Sequence, residues 1–264
     1  PQDLRPNIAA YIAGFSPNVR DIFDRFDFDK TLDKLADKNK LFAVTEKFAQ
    51  ADFHPSTVSN IQMGLVFEEL IRWANERSNE TAGDHYTPRE VISLMVQLLF
   101  ATDDAALSKP GVVRSIYDPT AGTGGMLSVA DEHLRGMNPN IQLALYGQDY
   151  NDASYAICKA DMVIKGQDVD NIRLGDTLTE DHFPDKKFDY ALSNPPFGVD
   201  WKDQRDIVDN EHKTLGFVGR FGPGTPAVSD GAMLFLLHLV SKMRTPAYGG
   251  SRMAIVLNGS PLFS

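Results

Sequence analysis

The chain has 264 residues, a formal net charge of −10, 42% hydrophobic residues and one cysteine. That length suits one α/β domain with a smaller attachment, and no apolar run approaches the ~18–20 residues that a membrane-spanning helix needs. Cys158 alone excludes internal disulfides and argues for a reducing, cytoplasmic setting; the six scattered histidines offer no pair at metal-ligand spacing, so no structural zinc site is expected.

Residues 1–82 read as helices. Ser16-Pro17 is a start signal, a capping residue followed by proline at the first helical position. Val19, Ile22, Phe23 and Phe26 then recur at i, i+3, i+4 and i+7. Leu32 with Leu35, and Leu41 with Val44 and Phe48, suggest two further short helices. Met63, Val66, Phe67, Leu70, Ile71 and Ala74 make the clearest stripe, and all these stripes are expected to be core. A polar hinge, Asn75 to Asp84, leads into HYTPREVISLMVQLLF. There Thr87 as cap, Pro88 at the first position and Glu90 form a capping box, which leaves His85 and Tyr86 unexplained.

From Gly111 onward strands and helices alternate. Val112 to Tyr117 is an apolar, β-branched strand that runs straight into DPTAGTGGML, and Met126 to Leu134 reads as the next helix. Gly122, Gly124 and Gly125 allow the backbone to come close to a ligand at the first helical turn. The turn is not a phosphate loop, because no Gly-Lys-Ser/Thr follows, and G-T-G-G does not match GxGxxG. Ile141 to Tyr146 is a second strand, entering GQDYN; its Asp149 falls roughly where a nucleotide-binding fold places the acid for ribose hydroxyls. Ala153 to Val163 is helical, Asn171 to Leu174 is a short strand entering GDTL, and Phe188 to Leu192 is a fourth strand ending in Ser193-Asn194-Pro195-Pro196-Phe197.

Asp118, Asp149, Asp176 and Asn194 thus fall at the carboxyl ends of four successive strands, the edge at which an open parallel sheet binds ligands. Residues 198–230, rich in Gly, Asp and Lys, break the alternation and are expected to form a long loop, either a functional lid or a disordered segment. Asp230 then caps a helix with Met233, Leu234, Leu237 and Val240 on its apolar face, and Arg252 to Leu257 is a fifth strand. Five strands are few for such a sheet and residue 1 is Pro rather than Met, so the chain reads as truncated at both ends.

The sharpest chemical signal is Asn194-Pro195-Pro196-Phe197. Two prolines fix φ and remove two backbone donors, so the segment presents carbonyls without adjacent N–H groups. The Asn194 side-chain oxygen and the Pro195 carbonyl can accept both hydrogens of an exocyclic amino group, and Phe197 offers a face on which a planar ring stacks. An aromatic amine is a poor nucleophile because its lone pair is delocalised. Two acceptors draw it toward tetrahedral geometry and stabilise the positive charge that grows on nitrogen during transfer.

HYTPRE, DPTAGTGGML, GQDYN, GDTL and NPPF, in that order between about Gly64 and Leu262, resemble the S-adenosylmethionine-dependent amino-methyltransferases. Within them the chain is similar to the modification (M) subunit of type I restriction–modification systems, adenine-N6 DNA methyltransferases. The resemblance implies a Rossmann-like methyltransferase sheet, mostly parallel, over residues 83–264, an N-terminal helical domain over residues 1–82, and S-adenosyl-L-methionine as cofactor. Carried over by position, Asp118, Thr120, Ala121, Gly122, Thr123 and Gly124 would line the methionine and ribose end of the cofactor. Tyr86, Thr87 and Pro88, with His85 and Arg89 of the same motif, would hold its amino-acid part. Asp149 would take the ribose hydroxyls and Asp176 the adenine amino group. Position 149 often holds Glu in this family; Asp is shorter but chemically alike. Asn194, Pro195, Pro196 and Phe197 would hold the target adenine, flipped out of the duplex because its N6 is unreachable inside the stack.

The stretch between Gly125 and Asn194 is filled by strands and helices, which leaves no room for a target-recognition domain, and the acidic charge works against an independent grip on phosphates. Both suit an M subunit that reaches double-stranded DNA through a separate specificity (S) subunit; the resemblance further implies a second M subunit and leaves open whether a restriction (R) subunit joins them. Two other readings stay open: an amino-methyltransferase acting on protein glutamine or an RNA base, and a catalytically silent scaffold.

Overall fold

The computed structural model describes residues 3–54, 56–77 and 87–259. They divide into two compact units: Pro1–Gly83 with Ala156–Asp170, and Asp84–Tyr155 with Asn171–Ser264.

The first unit carries α1 (Leu4–Ala13), α2 (Pro17–Arg25), α3 (Phe28–Asp37), α4 (Leu41–Ala49) and α5 (Asn60–Arg77). Ser16 holds the extended conformation of an N-cap before Pro17, but its hydroxyl bonds the Asn18 side chain instead of a backbone amide. Ile22, Leu32 and Leu41 are the buried residues of α2, α3 and α4. Phe23 adds to this small core by stacking on Phe15, centroids 5.8 Å apart, and by meeting Phe28 edge-on at 5.4 Å. Lys159, nearly buried, donates to Asp21 at 2.8 Å. The α5 stripe is only partly core: Met63, Phe67 and Ile71 are half-buried, whereas Val66 and Leu70 are exposed. Periodicity states which residues share a face; only a covering partner makes that face an interior.

The second unit is built on β1 (Val113–Asp118), β2 (Gln142–Asp149), β3 (Ile172–Leu174), β4 (Tyr190–Ser193) and β5 (Arg252–Ile255). Their spatial order is β3-β2-β1-β4-β5 and every pairing is parallel. The chain works outward from β1 to β3 and then returns to the other side of β1 for β4 and β5. The switch point therefore lies between β1 and β4, where a parallel sheet opens a crevice at its carboxyl edge. Register brings the strand ends level, with Asp118 opposite Gly147, Asp149 opposite Leu174 and Ser193 opposite Ile255. Helices α6 (Arg89–Phe100), α7 (Asp104–Leu107), α8 (Gly125–Met137), α10 (Arg205–Leu215) and α11 (Ala232–Ser241) belong to this unit, and α9 (Asp152–Ile164) begins in it.

Helices α6 and α8 pack on each other and bury Ile92, Val96, Leu99 and Phe100 with Leu127, Ala130 and Leu134. A second cluster joins Tyr117 of β1, Phe183, Phe188, Ala191 of β4 and Leu239 of α11, with Tyr117 stacked on Phe188 at 4.5 Å. The Tyr117 hydroxyl lies 2.9 Å from His238 Nε2. Burial holds the His238 imidazole down to about 3, so it is neutral at physiological pH.

Residues 198–230 are not a bare lid. They contain α10, and Trp201, Val208 and Phe221 are buried in a cluster with Leu178, Leu234 and Phe235. Their glycines and charges suggest a loop, but three apolar anchors spaced along the segment suffice to fold it onto α11. The α11 face also differs from expectation. Ala232, Leu234, Phe235, His238 and Leu239 are buried while Val240 is half exposed, and Gly231, not Asp230, is the N-cap. The helix is apolar almost all round, so its own periodicity does not select a side; its neighbours do.

Candidate active site

β1 delivers Asp118 to the carboxyl edge almost fully buried, at 1% exposure. Its Oδ1 accepts the Thr120 backbone N–H at 2.9 Å and the Thr120 hydroxyl at 3.2 Å. Burial pushes this carboxyl up to about 7, opposed by the two Thr120 hydrogen bonds and reinforced by the negative charge of Asp149. A carboxyl poised in this way gains its charge when a cation is placed beside it.

The Gly-rich turn follows at once and is pinned to the end of β2. Ala121 N–H donates to the Gln148 carbonyl at 3.0 Å, and Gly122 N–H to Asp149 Oδ2 at 2.8 Å. Gly124 N–H closes the turn on the Ala121 carbonyl at 2.8 Å. Gly122 (φ +53°) and Gly124 (φ +87°) take the left-handed conformation that glycine alone adopts without strain. A Cβ added at Gly122 would meet nothing nearer than the Thr120 carbonyl at 4.0 Å, so the turn borders space that protein does not fill. Thr123 is half-buried within it.

Asp149 accepts Asn151 N–H on Oδ1 at 2.9 Å as well as Gly122 N–H on Oδ2, so it braces the turn. Asp176, just past β3, accepts Leu178 N–H on Oδ1 at 2.9 Å and the Gln204 side-chain amide on Oδ2 at 2.8 Å. Asn194 follows β4. Its Nδ2 donates to the Thr87 hydroxyl at 2.7 Å, and its Oδ1 is buried with no hydrogen-bond partner among the described residues. Pro195 is buried, and Pro196 and Phe197 are half-buried.

Thr87 is therefore not the cap of α6. The helix starts at Arg89 with Pro88 as N-cap and no side-chain cap hydrogen bond, and the Thr87 hydroxyl serves Asn194 instead. The T-x-x-E pattern is consistent with either use; a partner 107 residues away decides it. Arg89 pairs with Glu132 of α8 at 2.5 Å. His85 and Tyr86 lie outside the described residues.

Four residues not singled out from sequence tie the site together. Ser193 Oγ, buried at the end of β4, lies 2.8 Å from Thr120 Oγ1 and so links the β4 motif to the Asp118 turn. Gln148, buried in β2, donates to the carbonyls of Gly175 at 3.2 Å and Glu180 at 2.6 Å. Thr177 donates to the Pro119 carbonyl at 2.6 Å, and Gln204 holds Asp176. Ser193, Gln148 and Thr177 each adjoin a recognisable motif. Gln204 carries no such signal.

A parallel sheet with its glycine turn, acidic strand ends and switch-point crevice defines the class I S-adenosylmethionine-dependent methyltransferase fold. A putative class I methyltransferase of Listeria monocytogenes shares that fold with a TM-score of 0.63 at 13% identity, over 86% of this chain and 62% of that one. The chain matches the N-6 DNA Methylase family over residues 59–264 and belongs to it. The type I restriction enzyme MjaIX methylase subunit of Methanocaldococcus jannaschii is 30% identical over 219 residues, 76% of this chain and 37% of that protein. The EcoEI methylase subunit of Escherichia coli is 27% identical over 205 residues, 74% of this chain and 39% of its own length. The type I restriction-modification system methyltransferase subunit from Streptococcus thermophilus superposes with a TM-score of 0.68 at 27% identity, over 86% of this chain and 45% of that one. The chain thus spans about two fifths of the length of these curated relatives.

Proposed function

We propose that this chain is the cofactor-binding and catalytic part of a type I modification subunit, an adenine-N6 DNA methyltransferase. In this reading residues 1–82 are a helical domain and residues 83–264 the methyltransferase domain. The observation that carries the chemistry is Asn194, whose amide nitrogen is tied to Thr87 while its Oδ1 is buried and has no partner among the described residues. A buried acceptor without a donor is costly and is explained by a substrate that supplies one. An exocyclic amino group fits, since it brings donors only to a site whose Asn194 oxygen and Pro195 carbonyl accept.

S-adenosyl-L-methionine, when bound, supplies an electrophilic methyl group on a sulfonium centre. Asp118 and the turn from Thr120 through Ala121, Gly122 and Thr123 to Gly124 line its methionine and ribose end, and the buried carboxyl of Asp118 favours a cationic ligand. Asp149 takes the ribose hydroxyls and Asp176 the adenine amino group. His85, Tyr86, Thr87, Pro88 and Arg89 belong to the segment that holds the amino-acid part. Asn194 and the Pro195 carbonyl accept the N6 hydrogens of the flipped target adenine, and Phe197 stacks on its ring, with Pro196 keeping the segment rigid. As the nitrogen gains positive charge these acceptors hold it more tightly than the neutral amine, and no strong general base is required because the proton is acidic only after the methyl arrives. Double-stranded DNA is read through a separate specificity subunit, with a second modification subunit and a restriction subunit as further partners, in the cytoplasm. No helix among the described residues is long and apolar enough to cross a membrane.

The test is transfer of a labelled methyl group from S-adenosylmethionine by the full-length subunit with its specificity subunit, offered duplex DNA, RNA and a glutamine-bearing protein. Label recovered as N6-methyladenine in DNA is the expected result; label in RNA or protein overturns the assignment of substrate. The cradle is tested separately through Gly122→Ala. The new Cβ enters the space beside the turn and the left-handed backbone costs roughly 1–2 kcal/mol. The variant should fold and bind S-adenosylmethionine about tenfold more weakly by calorimetry, which corresponds to about 1.4 kcal/mol. Unchanged affinity would place the cofactor elsewhere.

A further inference from the structure

Gln204 stands at the start of α10, in the segment between Phe197 and α11 to which neither the sequence motifs nor the proposed chemistry give a role. Its Nε2 donates to Asp176 Oδ2 at 2.8 Å, while Leu178 N–H occupies Oδ1 at 2.9 Å. Both carboxylate oxygens are thus held in place by one donor each, and among the described residues each keeps acceptor capacity, since a carboxylate oxygen can take more than one hydrogen bond.

The position of Gln204 is itself over-determined. Its backbone N–H donates to the Trp201 carbonyl at 3.2 Å, and its carbonyl accepts Val208 N–H at 3.0 Å. Trp201 and Val208 are buried with Phe221 against Leu178, two residues after Asp176. One guanidinium then clamps α10 to the segment that follows Asp176. Arg220 donates to Glu211 of α10, with Nη2 2.6 Å from Oε2, and also to the Thr177 carbonyl at 2.6 Å and the Leu178 carbonyl at 3.0 Å. Arg220 and Glu211 are both largely buried, where a charged pair with satisfied hydrogen bonds is rigid and costly to break. The insertion is therefore fastened to the strand end that carries Asp176 by an apolar cluster and an ion pair, and Gln204 is the side chain it extends to that carboxylate.

We infer that Gln204 is a positioning residue for purine recognition: by fixing the Asp176 carboxylate it orients the remaining acceptor toward the 6-amino group of the cofactor's adenine. This rests on the proposal that Asp176 receives that amino group. A fixed acceptor loses less freedom when the ligand arrives, so removing Gln204 weakens the amino-group contact without touching the rest of the ligand.

The experiment compares two ligands on the wild-type chain and on Gln204→Ala and Gln204→Met: S-adenosylhomocysteine, and its analogue with unsubstituted purine, which lacks the 6-amino group. The wild type should prefer the adenine form. Both variants should lose roughly five- to tenfold in affinity for it and keep their affinity for the analogue, so the preference shrinks. General damage to the fold would weaken both ligands alike, which overturns the inference, as does an undiminished preference. Tighter binding of the adenine form also overturns it, because Gln204 would then be a competitor for Asp176. Asp176→Ala separates this from the parent reading: a preference that survives loss of Asp176 refutes the assignment of that carboxylate, whatever Gln204 does. Failure of the wild type to bind either ligand refutes both.

Discussion

Replacing Asn194 by alanine is expected to lower methyl transfer to duplex DNA by about a hundredfold or more while cofactor affinity stays within about twofold of wild type. The asymmetry follows from where the side chain sits. Asn194 is placed after β4, next to Ser193, which meets Thr120 of the cofactor turn; its own side chain bonds Thr87 through the amide nitrogen, so the Thr87 backbone and its neighbours keep their place when that side chain is cut back. In the proposed reading its Oδ1, which has no partner among the described residues, acts on the amine and acts hardest when nitrogen carries charge, so its loss falls on the chemical step. Thr87→Val is the graded companion. It keeps the volume but removes the oxygen that accepts Asn194 Nδ2, so the amide can rotate; roughly tenfold loss of rate is expected. Both are measured in the complex with the specificity subunit, by single-turnover methyl transfer beside calorimetric titration of S-adenosylmethionine. If Asn194→Ala weakens cofactor binding as much as it slows transfer, the division between cofactor site and target site is wrong.

The second large effect is a pH dependence written into Asp118. The unfolded carboxyl titrates near 3.8 and the folded one at about 7. Between those values the folded chain keeps a proton that the unfolded chain has released, so stability falls as pH rises through the window and the penalty is complete above about pH 7. The integrated cost is on the order of 2–4 kcal/mol. Asp118→Asn stays neutral and avoids it. The variant should match wild type near pH 4 and exceed it by that amount near pH 8, as measured by chemical denaturation of the cofactor-free chain.

The difference between the two curves is the informative quantity, because His238 acts in the opposite sense. Its folded pKa of about 3 lies below the ordinary 6.5, so it withdraws stability as pH falls below about 6.5 and partly cancels Asp118 in the raw curve. A difference that stays flat across the range would mean that the buried carboxyl is not the group holding the proton. The same variant should bind S-adenosylmethionine at least tenfold more weakly at pH 8, since it cannot offer a charge to a cationic ligand. Stability gained with binding lost is the signature of a group kept for function at the expense of the fold.

Much of this site is legible in the amino-acid sequence. The five strands, the glycine turn after β1 and the polar residues at the strand ends are local patterns, set by β-branched runs, by glycines that must take positive φ and by prolines that end a strand. Each is decided within a few residues, so reading along the chain finds it. Other features escape such a reading for an equally physical reason. The α5 stripe has the periodicity of a buried face, yet Val66 and Leu70 are exposed. The residues after Phe197 have the composition of a lid, yet Trp201, Val208 and Phe221 are core. In both cases burial depends on which distant surface arrives to cover the segment, and composition is silent on that.

By itself, then, the sequence determined a parallel α/β sheet, a glycine turn after Asp118 and a proline-held strand end at Asn194, because those depend on backbone preferences and side-chain chemistry at single positions. Only the tertiary structure decided that Thr87 serves Asn194 rather than α6, that Ser193 joins the two motifs, and that Gln204 and Arg220 bring a separate insertion to Asp176. Those contacts join residues from 28 to 107 positions apart, and such pairs exist only once the strands have been set in register and the helices packed against them.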